Sequence, residues 1–473
     1  MTTDIAAFLK KHFSDIEKHT PYTRERLEEF LRLGPLHYFI PKALGGRFQS
    51  AFSYLNVIET TSYYSLPLGL SLGITGSLFL QPMSKHAVPK LREPILKTFV
   101  DTPALGGMMI TEPSGGTDVF GLTTHYEQNG HKLTLSGSKC WGGLTGLAGL
   151  WLVGARAKRG TRLTKKMNLL YVPLSAPGVK VETYFDALGL QPIPYGRTRY
   201  DRVELPDYHV LKSEGMSGLR LVYDTLFRSR LGMAAIAAGH CKRMTDAVFE
   251  RTNDRRVFGK RLSDYDQVQY RLESLQGMYA LNHALWQFTG QWMDDHADIS
   301  SDYTLVNASK LVCSETIQTA SDSAMQLFAS AAFKKNHLVG RAYVDNKPFQ
   351  IFEGSNDVLD ENLYDTIVSR HGSCDCASVN QEFSRYGLAL PQDTPKAVMN
   401  LLDARASEYQ RDKVLKGRML AWLFVGALLR QTASYESEYF AQAEQLVLRR
   451  VSELAAQAPY LGRVSHKLSS KTV

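Results

Sequence analysis

Residues 231–252 read LGMAAIAAGHCKRMTDAVFERT, and Leu231, Ala234, Ala238, Cys241, Thr245, Val248 and Thr252 advance along the stretch in steps of three and four. That spacing lays all seven on one face of a helix. Their small side chains predict close packing against neighbouring helices, as in a bundle. Helical periods continue from Gly215 to about Gly372, so a four-helix bundle domain is expected over residues 213–372.

Outward from this stretch the pattern changes. Residues 104–212 break into short segments: YEQNGHKLTLSGSK carries a polar Asn-Gly between strand-like pieces, and LWLVGARA, MNLLYVPL and VKVETYF follow. These predict a middle β domain. Residues 1–103 are helical again, in IAAFLKKHFSDIEKH and RERLEEFLRL, until proline and two glycines interrupt at IPKALGG. Residues 373–473 read as a further helical extension that ends in the polar tail GRVSHKLSSKTV.

Composition narrows the function classes. A chain of 473 residues exceeds one small core, and its 44% hydrophobic and 22% charged residues are ordinary for a globular protein. The start MTTDIAAFLKKHF lacks the basic, apolar and small-residue order of a secretory signal, so a cytoplasmic location is expected. Cys140, Cys241, Cys313, Cys374 and Cys376 are scattered without paired metal spacing, which predicts reduced thiols and no metal site. The apolar runs Leu66 to Leu80 and Met419 to Leu429 fall short of the roughly 20 residues of a spanning helix. Buried helices are expected instead of a transmembrane segment. The net charge of +8 favours an anionic partner, but no nucleic-acid motif accompanies it.

Two stretches carry candidate chemistry. In FQIFEGSNDVLDEN, from Phe349, the acidic Glu353 stands between apolar aromatics and a glycine. Burying such a charge is costly unless it is paired, neutralised or used. It is therefore either a residue favoured near the start of the helix begun by Ser355 and Asp357, or a base. In MMITEPSGGTD, residues 108–118, Thr111 ends an apolar strand and a Ser-Gly-Gly loop leads to Thr117. Glycines there let backbone N–H groups approach an anion, although an ordinary turn has the same composition.

These residues resemble the flavin-binding loop of the acyl-CoA dehydrogenase family, I-T-E-P-G-A-G-S-D. Further segments match that family in order. GSKCWGG resembles the strand that carries a flavin-stacking tryptophan, here Trp141, and RTRYDRVELPDYHVL resembles the strand leading out of the β domain. NDRRVFGKRLSDYDQVQYRLESLQ resembles a helix pair with R-x-x-F-G and a later glutamine, matched by Arg255, Phe258, Gly259 and Gln267. VDNKPFQIFEGSNDV resembles R-D-x-x-x-x-x-I-Y-E-G-T-x-E/Q-I, with Asp345 at the family's spacing from Glu353. The matches span roughly residues 35–370.

The resemblance implies an α+β fold made of a helical domain, a β-barrel or sandwich, a helical bundle and additional C-terminal helices. It implies FAD-dependent α,β-dehydrogenation of an acyl thioester, carried by coenzyme A or an acyl carrier protein, with Glu353 as the α-proton base. Thr111 would meet the flavin edge, Trp141 its ring and Thr117 a phosphate. Arg255, Phe258 and Gln267 would reach the FAD of a neighbouring subunit, Gln326 would add a contact, and Ser355 and Asp357 complete the cofactor set. A homodimer or homotetramer follows, with an electron acceptor such as an electron-transferring flavoprotein.

The chain also departs from the family. Gly142-Gly143 stand where a hydroxyl residue usually follows the tryptophan, Ala329-Ser330 replace a Gly-Gly turn, Asp357 replaces Glu or Gln, and Ser229 stands where some members carry their base. These leave two alternatives open: a flavin oxidase or monooxygenase, and a silent scaffold subunit. Lastly, Arg156, Lys158, Arg159, Arg162, Lys165 and Lys166 crowd the connection between two strands, read either as a solvated hairpin loop or as one that attracts the carrier's phosphates or acidic helix.

Overall fold

The small-residue face of residues 231–252 lies within a single 37-residue helix, Gly218–Asp254. In the computed structural model, which describes residues 2–18, 23–404, 409–432 and 439–461, all seven residues of that face are buried. The polar tail from Gly462 lies outside the described residues.

The first layer contains α1 (Thr2–Lys18), α2 (Arg24–Arg32), α3 (Ala51–Tyr64), α4 (Leu66–Thr75), α5 (Gln81–His86) and α6 (Pro89–Asp101). Local chemistry sets the starts: the Thr23 hydroxyl accepts the Arg26 N–H at 3.3 Å to cap α2, and Ser65 accepts the Leu68 N–H at 3.4 Å to cap α4. Pro67 sits in the first turn of α4, where an N–H has no helical partner anyway. A π-helical turn, Gly76–Leu80, joins α4 to α5, so Leu66–His86 is one 21-residue helix. Its expected length is thereby corrected: tertiary packing carries the helix through glycines that would weaken it in isolation. With 83% of its most apolar window buried, it serves as a core helix.

The middle strands are β1 (Gly106–Met109), β2 (His125–Asn129), β3 (Lys132–Cys140), β4 (Leu150–Arg159), β5 (Arg162–Pro173), β6 (Val179–Tyr184) and β7 (Gly196–Pro206). They form one mixed sheet in the order β1-β4-β2-β3-β7-β6, with β5 also on β4. The hairpin connection rich in basic residues is shorter than expected, because β4 and β5 stay paired out to Arg159 and Arg162 and leave only Gly160 and Thr161 in the turn. Gly160, at φ +57°, permits that tightness. Arg156 is drawn inward onto the carbonyls of Leu122 and Thr164, and Lys158 pairs with Glu127 at 2.7 Å. Arg159, Arg162, Lys165 and Lys166 remain exposed.

The bundle comprises α7 (Gly218–Asp254), the short pair β8 (Arg256–Val257) and β9 (Lys260–Arg261), α8 (Asp266–Asp295), α9 (Tyr303–Phe328), α10 (Leu338–Asp345) and α11 (Asn356–His371). Helix α7 packs on α3, α8 and α9. The extension follows as α12 (Cys376–Ser384), α13 (Lys396–Asp403), α14 (Gln410–Thr432) and α15 (Phe440–Leu461). Helix α14 lies across α8, α9 and α11, and α15 lies along α8. Backbones approach closely at Gly417, against the Asp360 carbonyl, and at Gly277, against the Gln442 carbonyl; a side chain at either would overlap that oxygen.

Charge completes this docking. Asp360 is fully buried and accepts from Arg418 at 3.1 and 2.8 Å, and the same guanidinium reaches Asp357 at 3.0 Å. Burial pushes the Asp360 carboxyl up to about 7, against the pull of Arg418. A raised carboxyl favours the folded chain when protonated, and this contribution fades as pH climbs from the ordinary carboxyl range toward about 7. Without Arg418 the fade extends to higher pH. Arg418→Met is therefore expected to cost about 3 kcal/mol at pH 9 and less at pH 6, as measured by urea unfolding. Equal losses at the two pH values would contradict the role given to this pair.

Candidate active site

After α10 the chain passes through a 3-10 turn at Lys347–Gln350 and reaches α11 by way of Glu353 and Gly354, both with positive φ, 54° and 101°. For a glutamate this conformation costs on the order of 1 kcal/mol or more, so its surroundings must enforce it. The turn directs the Glu353 carboxyl into a cleft between α4 and α7. Ser229 donates to Oε1 at 2.8 Å, while Oε2 is buried without a hydrogen-bond partner. Ile58, Leu70, Ile74, Met233 and Ile236 make most of the remaining wall apolar, interrupted by Ser77. Burial raises the pKa of Glu353, opposed by the Arg230 charge, the Ser229 hydrogen bond and the Lys310 charge. A second cavity, between α14 and α15, has its charged residues Arg430 and Glu444 paired with each other at 2.8 Å.

Beside the cleft, the Thr111 carbonyl accepts the Cys140 N–H at 2.9 Å, which sets Thr111 next to Trp141. The glycine loop is closed by two backbone hydrogen bonds between Glu112 and Gly115. Beneath it the buried Glu112 carboxylate accepts the N–H groups of Thr123 and Thr124, at 2.7 and 2.8 Å, and the Lys139 ammonium at 2.9 Å. Despite burial, Lys139 and the Thr123 N–H hold that carboxyl down at about 2. Thr117 is exposed on the loop. Trp141 is 56% exposed at φ +60° and is backed by Phe185 at 4.5 Å and Tyr195 at 6.1 Å. An indole held in solvent on an aromatic backing is a platform for a flat ligand.

Gly142 and Gly143 open no passage beside this platform. A Cβ at Gly142 would meet Met109 at 2.9 Å and one at Gly143 would meet Ile74 at 2.7 Å, so neighbouring side chains already fill that space. Ile74 also lines the cleft of Glu353, and platform and cleft therefore adjoin. Asp345 accepts the Leu190 N–H at 2.5 Å and ties the segment behind Phe185 to the helix leading to Glu353.

Other residues singled out by sequence lie elsewhere. Arg255, Phe258, Gln267 and Gln326 are all exposed at one end of the bundle, Phe258 by 96%. Arg271 reaches Ser323 at 3.4 Å and joins the α8 and α9 ends there. From Ser229 to Arg255 the chain advances roughly 26 residues along α7, or about 39 Å at about 1.5 Å per residue. Within one chain these residues therefore lie far from the cleft of Glu353. Ser355 is the N-cap of α11 without a side-chain cap bond, and Asp357 faces Arg418 of α14. Sequence reasoning missed Arg230 and Lys310: Arg230 is masked by Arg228 two residues before it, whereas Lys310 is the one cation of α9 and could have been noticed.

Three family models match successive blocks of the chain: the acyl-CoA dehydrogenase N-terminal domain over residues 3–102, the middle domain over 107–203 and the C-terminal domain over 216–367. The probable acyl-CoA dehydrogenase YngJ of Bacillus subtilis is 25% identical over 356 residues, 74% of this chain and 92% of that protein. The human mitochondrial very long-chain specific acyl-CoA dehydrogenase is 25% identical over 464 residues, 92% of this chain and 69% of that protein. Butyryl-CoA dehydrogenase from Megasphaera elsdenii has a similar fold, with a TM-score of 0.70, 22% identity and coverage of 78% of this chain and 98% of that one. A glutaryl-CoA dehydrogenase from Mycobacterium smegmatis, in complex with FADH2, gives a TM-score of 0.68 at 19% identity, over 78% and 94% of the two chains.

Ala329, where α9 ends, adopts φ +53° and ψ −137°, a glycine-like conformation held by an alanine. Such strain costs about 1 to 3 kcal/mol. Ala329→Gly is expected to raise the unfolding free energy by about 1 kcal/mol after the glycine's own entropic cost is subtracted. A lower thermal midpoint in that variant would show the backbone there to be unstrained.

Proposed function

The chain belongs to the acyl-CoA dehydrogenase family, and from that premise we propose that Glu353 is the base that takes the α-proton of an acyl thioester. The protein is an oxidoreductase acting on CH–CH groups, with FAD as its cofactor. One observation carries the assignment of the base: a carboxyl oriented by Ser229 keeps its second oxygen buried and unpartnered at an apolar cleft. That oxygen is free to accept a proton.

The acyl chain would lie between α4 and α7, where the apolar walls exclude water from the reacting carbons. The α C–H bond breaks toward Oε2 of Glu353, and its electron pair becomes the new bond between the α and β carbons. When bound, FAD supplies the acceptor for the hydride leaving the β-carbon. Burial raises the Glu353 pKa, which makes its carboxylate a stronger base, and the Arg230 charge, the Ser229 hydrogen bond and the Lys310 charge oppose that rise. The exposed Trp141 beside Thr111 and the glycine loop suits a flat ring joined to phosphates, so the residues present fit the cofactor. The oxidase alternative loses its argument from Gly142 and Gly143, since Met109 and Ile74 occupy that space. The exposed cations at the β4–β5 tip suit the phosphates of coenzyme A or an acidic carrier protein. Offering one acyl group on each carrier distinguishes them.

Glu353→Gln should retain FAD and abolish flavin reduction by acyl thioester, because an amide cannot take the proton. Flavin reduction at the parent rate would dispose of the assignment. The distance of Arg255 from the cleft further supports a homodimer or a dimer of dimers, with Arg255, Phe258 and Gln267 serving a neighbour's FAD. Arg255→Ala is expected to weaken FAD retention by about 1.5 to 3 kcal/mol, read by equilibrium dialysis. A micromolar solution of monomer that keeps its full FAD would contradict the shared site.

A further inference from the structure

The consecutive left-handed residues Glu353 and Gly354 need a restraint, and two buried cations flank them. Lys310, fully buried in α9, donates to the Gly354 carbonyl and to Asn356 Oδ1, each at 2.7 Å. Asn356 in turn donates to the Ser314 hydroxyl at 3.1 Å, further along α9. On the other side Arg230, 8% exposed in α7, donates to Asn307 Oδ1 at 3.1 Å and makes no hydrogen bond to the turn. Among the described residues neither cation has a carboxylate as its hydrogen-bond partner. A buried lysine without one is an expensive way to fill space; methionine would pack at lower cost. Its placement therefore calls for a function.

We propose that Lys310 is a positioning residue for the reaction: it locks the Glu353–Gly354 turn and thereby aims the Glu353 carboxyl into the cleft. This rests on the reading of Glu353 as the base. Gly354 is the pivot, because glycine occupies either sign of φ readily, whereas Glu353 prefers negative φ. With its carbonyl released, Gly354 can turn over and Glu353 can relax, which carries the carboxyl away from Ser229. Arg230 holds nothing in the turn and cannot take over this task.

The charges facing the carboxyl make the same residue electrostatically visible. From α7 come Arg230 and the Ser229 hydroxyl, from α9 come Lys310 and Cys313, and Asp360 on α11 acts on Lys310. Burial brings Lys310 down to about 8, so it remains largely charged at neutral pH. Its removal takes away a cation that favours ionised Glu353, and the pH at which the base becomes active should rise.

The test uses FAD-loaded Lys310→Met, with Lys310→Arg as a second variant that keeps a charged donor. The probe is whichever straight-chain acyl-CoA reduces the parent flavin fastest. Lys310→Met should retain FAD, lose the Ser229–Glu353 hydrogen bond in its crystal structure, reduce flavin about tenfold more slowly and shift its pH profile upward. Lys310→Arg should keep the parent pH profile and recover part of the rate, which keeps the test decisive if the methionine variant does not fold. Parent geometry and pH profile in Lys310→Met, or an upward shift in Lys310→Arg, would overturn the inference. Glu353→Gln run alongside separates the two failures: if it reduces flavin normally, the base itself is misassigned. If it is silent while Lys310→Met behaves as the parent, only the role of Lys310 falls.

Discussion

A carboxylate at the end of an apolar cleft is unstable unless the protein around it is arranged to hold it, and the architecture answers to that requirement. Helix α7 brings Ser229 and Arg230 to the Glu353 carboxyl, while α9 brings Lys310 beneath the turn that presents it. Helix α11 begins only three residues later, and α14 grips that helix through Arg418 and Asp360. Glu353 is thus connected to the extension by a short chain of contacts. Helix α14 is part of the support of the site, though it lies beyond the three matched family domains.

Two glutamates show how surroundings divide one side chain between two jobs. Glu112 accepts two backbone N–H groups and an ammonium, so its carboxyl is held at about 2 and stays ionised. It anchors a loop. Glu353 has one hydroxyl donor and one bare oxygen, so burial prevails and its pKa rises. A carboxyl with every lone pair engaged is structural, whereas one left with an open oxygen can exchange a proton.

Much of this was legible in the sequence. The steps of three and four in residues 231–252 marked the central helix, and the segments around Thr111, Trp141 and Glu353 fall at adjoining places in the structure. Pairings across long chain separations were not legible. Nothing near Lys310 announces a bond to the carbonyl of Gly354, and nothing near Asp357 announces Arg418. The basic hairpin was read as too long a connection, because the extent of strand pairing there depends on a backbone register that side-chain composition does not encode. The run from Leu66 misled similarly, since glycine weakens an isolated helix but not one enclosed by other elements.

The manner in which α14 and α15 dock has a consequence for biosynthesis. Their seats, Gly277 on α8 and the Asp360 carbonyl on α11, belong to segments made earlier on the ribosome, and the closeness of approach leaves no room for a partly formed contact. Newly made α8, α9 and α11 must therefore wait with an apolar flank uncovered until Met419 to Leu429 emerge. During that interval the nascent chain exposes this flank to aggregation and to chaperones.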